Sequence, residues 1–306
     1  MSVLLQRAPR TERASNPALR KVVITDLDRP DTYPTLSDTT IKVMGLANKA
    51  DVSVGEIAGI VRRDGVLAAG VLRAANSCTF RGGKAIEDVQ QAVLRLALQQ
   101  CGRLLATSGV REVYARCSPP VQKRCDAVLR HSLFVAQLAA RFSRLAGVGE
   151  PGAAFTAGLL HDIGRVILCV KCDGVADPDA VAVHEGDETV AVEREAFGID
   201  HCAIGYQFAT RNGLPESVVR VALNHHRAAD EPFQREAVAL VAVAERVANH
   251  VQRAHEIAGY DLAACPQFEV LAARWKPARE VAFRAGLPAA TVQALRDTRK
   301  MLRALA

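Results

Sequence analysis

FTAGLLHDIGRVILCV, from Phe155 to Val170, is apolar text with helical periodicity and a His-Asp doublet set in its middle. At about 100° per residue, Phe155, Leu159, Ile163, Val166, Ile167 and Val170 gather on one stripe, so the stretch predicts one helix with that stripe toward a core. His161 falls on the opposite side and Asp162 at its edge. A solvent face would carry Lys, Glu or Gln, yet the neighbours of His161 are Ala154, Ala157, Gly158, Gly164 and Arg165. Small residues let another helix approach closely. The doublet is therefore expected between helices, where buried polar groups need partners; the alternatives are a solvated pair or a single core histidine with a satisfied hydrogen bond.

The rest of the chain repeats this helical character. Of 306 residues, 49% are hydrophobic and only 5% aromatic, and no segment alternates with period two for long enough to insist on a strand. The fold class expected is all-α, a multi-helix bundle. The longest uninterrupted apolar run, Ala237 to Ala244, is far below the roughly 18 residues that span a bilayer. The start of the chain, with Val3, Leu4 and Leu5 followed by Arg7 and Arg10, does not make a signal peptide. Eight cysteines scattered through helical text suit free thiols in a reducing cytoplasm. The one CxxC pair, Cys169 and Cys172, lacks the second pair of a zinc site and the βαβ setting of a redox motif, which leaves helix-end packing.

Charge divides the chain unevenly. Residues 1–21 hold five basic residues against Glu12, and residues 272–306 hold eight against Glu280 and Asp297. Since the whole chain is only +6, the middle is net negative, and the basic ends read as solvated tails or a docking surface. Nucleic acid is not an expected partner, because neither end carries a recognition motif or aromatics beyond Trp275.

Residues 1–33, rich in Arg, Pro and Asp, are expected to form a poorly ordered basic leader. An N-terminal helical part follows over 34–118, with starts at Ser37, at Ser53 (SVGE, a capping box), after Asp64, and over roughly Asp88 to Thr107. CSPP (117–120) is the best internal boundary, since consecutive prolines oppose helix continuation. Beyond it, over 119–262, helices are expected at about 122–146, 151–170, 201–212, 215–227 and 235–256, with a loop-like stretch around 173–190. Residues 263–306 read as basic C-terminal helices, two of them arranged around Gly286-Leu287-Pro288.

Five of these helices direct an imidazole or a carboxylate inward. His131 follows the stripe of Val128, Val135, Leu138 and Phe142. His201 comes after Asp200, an expected N-cap, and lines up with Ile204 and Phe208. His225 continues Val218 and Val221, and His226 continues Val219 and Leu223, so at least one of the pair is buried. Glu245 interrupts the apolar run AVALVAVAERVANHV, where an unpaired carboxylate is costly. Each alone reads as a structural residue. Desolvating them all separately would cost several kcal/mol, on the order of one or more apiece, unless they share a hydrogen-bond network or a metal. Mixed imidazole and carboxylate ligands suit Zn, Mn or Fe.

The segments RHS (130–132), AGLLHDIGRVIL, EREAFGIDHCAIGYQFATRNGLP and NHHRA resemble, in order and wording, HDOD domains, the bacterial relatives of HD-domain phosphohydrolases. RDGVLAAGVLRAANS upstream is similar to another HDOD segment, with Gly65 where proline is usual. The resemblance covers about residues 33–255. It implies an HD-like helical core preceded by a helical subdomain, and it implies metal ligands at His131, His161, Asp162 and Glu245, the last in place of an aspartate. Similarity to the HD-GYP phosphodiesterases adds His201, His225 and His226. Two features of that relative are missing, because its lysine is Arg165 here and nothing after HHRAAD resembles a GYP motif. A glutamate that some HD-GYP sites place four residues before His131 is Ala127.

The resemblance thus implies a cytoplasmic regulatory protein of bacterial signalling, acting through contacts with signalling proteins or a second copy of itself, without catalytic residues. The alternative is a metal-dependent phosphohydrolase or cyclic-dinucleotide phosphodiesterase, in which Arg165 would contact phosphate. A nucleic-acid binder using the basic ends is a third reading, marked by affinity that falls steeply with salt.

Overall fold

The computed structural model describes residues 34–46, 52–77, 85–174 and 188–305. The basic leader, Cys78 and most of the stretch expected to be loop-like lie outside the described residues. Within them every regular element is helical. The N-terminal part contains α1 (Asp38–Leu46), α2 (Val54–Val61), α3 (Gly65–Asn76), α4 (Val89–Leu96) and α5 (Leu98–Glu112). Then come α6 (Pro119–Ala146), α7 (Pro151–Leu160), α8 (Ile163–Lys171), α9 (Glu188–Phe197), α10 (His201–Arg211), α11 (Glu216–Asn224), a 3₁₀ turn (Ala228–Asp230) and α12 (Arg235–Ala254). The chain closes with α13 (Pro266–Ala272) and α14 (Pro277–Leu305). One apolar core runs through all of them, from Leu36 to Met301.

Local chemistry accounts for most boundaries. The capping box at Ser53 is formed, with the Ser53 hydroxyl accepting from the Glu56 N–H and the Glu56 carboxylate accepting from the Ser53 N–H. The prolines of CSPP do not merely separate helices; they open α6, where their missing N–H groups cost nothing. Gly147, at φ +62°, ends the same helix in the left-handed region that a side chain disfavours.

Four expectations change. The helix read over Asp88 to Thr107 is two, broken at Ala97, whose φ of +63° no glycine or proline announces. Helix α9 begins at Glu188, inside the stretch read as loop-like. The C-terminal break lies at residues 273–276, and α14 continues through Gly286-Leu287-Pro288. Its buried residues Phe283, Leu287, Thr291, Ala294, Thr298 and Met301 keep a single helical stripe across the proline, because α14 is held along α6.

The fourth change concerns the decisive stretch. Residues 151–171 are two helices, α7 and α8, separated at His161 and Asp162. Neither segment has a wet face: Phe155 to Leu160 are all buried, and so are Ile163 to Cys169. Pro151–Lys171 is long and apolar enough to cross a membrane by length and composition, but 83% of its most apolar window is packed inside this fold. The small residues do what small residues suggested. A Cβ on Gly158 would lie 2.9 Å from the Ala136 Cα of α6, and one on Gly164 would overlap the His201 carbonyl of α10. These two crossings bring α6 and α10 onto the doublet from different sides.

Candidate metal centre

The cluster is built mainly at helix ends. His161 caps the C-terminus of α7, Asp162 precedes α8, His201 is the first residue of α10, and His225 caps the C-terminus of α11 with His226 directly after it. Asp200 caps α10 as the sequence suggests, accepting the Ala203 N–H at 2.8 Å. Two residues come from mid-helix, His131 on α6 and Glu245 on α12. His131 is half-buried rather than fully inward, and His226 is also partly exposed, whereas His161, Asp162, His201, His225 and Glu245 are buried.

Hydrogen bonds fix the ring tautomers. Carbonyl and carboxylate oxygens can only accept, so the ring nitrogen facing each of them must carry the proton. His161 Nδ1 donates to the Gly158 carbonyl at 2.8 Å, a last-turn acceptor that the end of α7 leaves available. His225 Nδ1 donates to the Val221 carbonyl at 3.0 Å, and His201 Nδ1 donates to Glu193 Oε2 at 2.5 Å. His131 Nδ1 donates to the side-chain oxygen of Gln252 at 3.1 Å. All four rings are thereby left with an Nε2 lone pair.

Those lone pairs converge. His201 Nε2 is 3.3 Å from His225 Nε2 and 3.2 Å from His226 Nε2. Asp162 lies among them with one oxygen toward each side: Oδ2 is 3.5 Å from His161 Nε2, while Oδ1 is 3.4 Å from His201 Nε2 and 3.6 Å from His225 Nε2. Neither Asp162 oxygen nor His161 Nε2 has a hydrogen bond within the chain, although all three are buried. Facing Nε2 lone pairs are unfavourable unless a proton or cation lies between them, and Asp162, whose Oδ2 is 3.4 Å from Arg165 Nη1, keeps Oδ1 turned toward the imidazoles. The donors fall into three overlapping groups with metal-ligand spacing: His131, His161 and Asp162; His161, His225 and Glu245; and His201, Cys202, His225 and His226. The donor chemistry thus fits a divalent ion.

Charge agrees with geometry. Burial would raise the pKa of Asp162, but Arg165 and the surrounding imidazoles hold it well below the usual carboxylate range. Burial would also raise Glu245, and His226, His225 and His161 override it, down to about 2. Burial lowers His161 to about 4 and His226 to about 3. For His225 burial works downward too, but the Asp162 and Glu245 carboxylates pull its pKa up. The anionic Asp162 and Glu245 and the neutral His161 and His226 are in the protonation states of metal ligands, whereas His225, drawn toward its protonated form by the two carboxylates, would give up its Nε2 proton to an arriving ion.

Every candidate ligand read from the sequence falls in at least one of the three overlapping groups. Arg165 is close by, its Nη1 3.4 Å from Asp162 Oδ2. Two neighbours escaped sequence reading. Glu193, on the unexpected α9, accepts both the backbone N–H and the ring Nδ1–H of His201; its only signal was a carboxylate eight residues ahead of a histidine. Cys202, read as one of several scattered thiols, has its Sγ 3.4 Å from His201 Nε2. Cys169 and Cys172 are both buried, the Cys169 thiol paired with Cys125, and among the described residues they join no metal-type group.

The sequence profile of the HDOD domain matches residues 33–228. A crystal structure of an HDOD domain protein of unknown function from Geobacter sulfurreducens is 24% identical and superposes with a TM-score of 0.69, covering 92% of this chain and 97% of that one. A provisionally named phosphohydrolase from Shewanella amazonensis SB2B is 22% identical with a TM-score of 0.66, covering 93% and 98%. Identities at this level show a shared fold. An uncharacterized curated protein of Treponema pallidum (strain Nichols) is 23% identical over 219 residues, which is 69% of this chain and 41% of that protein, so the match spans less than half of the relative's length.

Proposed function

The chain belongs to the HDOD family, which is related to HD-type phosphohydrolases and to signal-transduction proteins, and from that premise we propose that it is a cytoplasmic signalling module that works through protein contacts and whose helical core is built around a divalent metal. His131, His161, Asp162, His201, His225, His226 and Glu245 would hold the ion or ions, with Zn, Mn or Fe as the matching chemistries. A bound ion supplies positive charge that ties together helices arriving from distant parts of the chain, and ion binding to the native state alone adds stability.

Burial carries the choice against turnover. His161, Asp162, His201 and His225 are at most 1% exposed, which leaves an ion room for direct contact and a bulky phosphoester little surface to meet. Arg165, the guanidinium read from the sequence as a phosphate contact, lies against Asp162. Phosphate would have to compete with that carboxylate. The hydrolase reading keeps one observation in its favour, the number of metal-type donors gathered in the cluster, and assays decide between the two. Purified protein supplied with Mn, Fe or Zn should retain metal in elemental analysis yet turn over neither cyclic dinucleotides nor simple phosphomonoesters. Metal-dependent hydrolysis that vanishes in Asp162→Ala would overturn the regulatory reading. The basic ends would serve as docking surface for a signalling partner or a second copy; binding to nucleic acid with a steep salt dependence would reassign them.

A further inference from the structure

We propose that Cys202 supplies a thiolate to the cluster, so that His201, Cys202, His225 and His226 form a His3Cys site selective for Zn²⁺ over Mn²⁺ and Mg²⁺. This inference rests on the reading of the cluster as a metal centre and adds the identity of its softest ligand.

The geometry argues for it edge by edge. A tetrahedral zinc ion with Zn–N near 2.0–2.1 Å and Zn–S near 2.3 Å sets nitrogen ligands about 3.3–3.4 Å apart and a sulfur about 3.5–3.6 Å from each nitrogen. The three edges meeting at His201 Nε2 measure 3.3 Å to His225 Nε2, 3.2 Å to His226 Nε2 and 3.4 Å to Cys202 Sγ. All four donor atoms lie within 4.8 Å of one another. The arrangement therefore needs little adjustment to close around one ion. Cys202 is 4% exposed and follows His201 at the start of α10, so the same turn of helix that directs the imidazole inward also brings the thiol into the cluster. His201 is in turn held by Glu193, which fixes its lone pair toward the other three donors. As the sulfur–metal bond forms, the thiol proton leaves to solvent. Thiolate selects Zn over the hard ions Mn and Mg.

The full chain, stripped with chelator and reloaded with one equivalent of Co²⁺, tests the assignment. The expected spectrum shows the visible bands of four-coordinate cobalt together with a near-ultraviolet sulfur-to-cobalt charge-transfer band. Cys202→Ser should abolish the charge-transfer band, and the Zn-over-Mn preference should fall on the order of tenfold or more. Cys169→Ser should leave both unchanged. X-ray absorption of the zinc-loaded wild type needs no variant and should show a sulfur shell. Cobalt bound without the charge-transfer band, or a band lost in Cys169→Ser and kept in Cys202→Ser, overturns the thiolate ligand while leaving the metal centre standing. A protein that takes up neither cobalt nor zinc overturns both.

Discussion

The helices of residues 34–118 and those of 119–255 share one core, yet Asn76 and Thr107 in the first and the His-Asp cluster in the second use their polar atoms in opposite ways. In the first region Asn76 and Thr107 close their hydrogen bonds on nearby backbone. Asn76 donates to the Ile86 carbonyl at 2.7 Å and accepts the Ile86 N–H at 2.8 Å, pinning the end of α3 to the approach of α4. Thr107 returns its hydroxyl to the Arg103 carbonyl of its own helix at 2.7 Å. In the second region, the ring Nδ1–H groups of His161 and His225 are satisfied locally and the remaining donor atoms are turned toward one another around Asp162, which has an ion pair with Arg165 but no hydrogen bond. A polar group that closes its own bonds holds up a fold. A set that leaves its lone pairs facing inward is prepared for something else.

That contrast can be broken by melting experiments. The largest effect is expected for Asp162→Ala, which leaves buried imidazoles and Arg165 without their carboxylate, at about 1–3 kcal/mol or more, with loss of bound metal added. Thermal melts of wild type and variant with and without chelator check it: chelator should lower the wild-type midpoint by more than it lowers the variant's. A variant that melts with the wild type under both conditions would mean that the doublet contributes nothing buried.

Gly164→Ala comes next. Its Cβ would overlap the His201 carbonyl, so α8 and α10 must separate, at roughly 1–3 kcal/mol for overpacking. Metal content should fall along with the midpoint, since His201 moves relative to Asp162; full metal occupancy would show that the crossing does not position the ligands. Asn76→Ala should cost about 1–2 kcal/mol by orphaning the Ile86 backbone groups, with the same loss in chelator and in metal. A chelator-dependent loss there would erase the distinction between the two regions. The smallest effect belongs to Ser53→Ala, about 1 kcal/mol for an exposed cap and again independent of metal.

Much of this was legible in the residues themselves. The inward phase of His131, His201, His225 and Glu245 along their helices anticipates the cluster, although His131 sits at its rim. Reading Phe155 to Val170 as one helix failed, and so did reading Asp88 to Thr107 as one, for the same reason: a change of axis that leaves apolar residues on both sides of the break does not disturb the periodicity. Pro288 misled in the other direction. Proline removes a backbone bond locally, but burial of Phe283 and Leu287 before it and Thr291 after it holds the helix straight through.

The sequence by itself determined the all-α class, the caps at Ser53 and Asp200, and the inward direction of the ionisable residues, because helical period, capping chemistry and the cost of burying charge act over a few residues at a time. The tertiary structure alone decided that the His161-Asp162 doublet sits at a break, that Glu193 of α9 fixes the His201 ring, and that Cys202 joins three histidines. Those outcomes depend on how closely α7 and α8 approach α6 and α10 at Gly158 and Gly164, and such distances belong to pairs of helices rather than to any one of them.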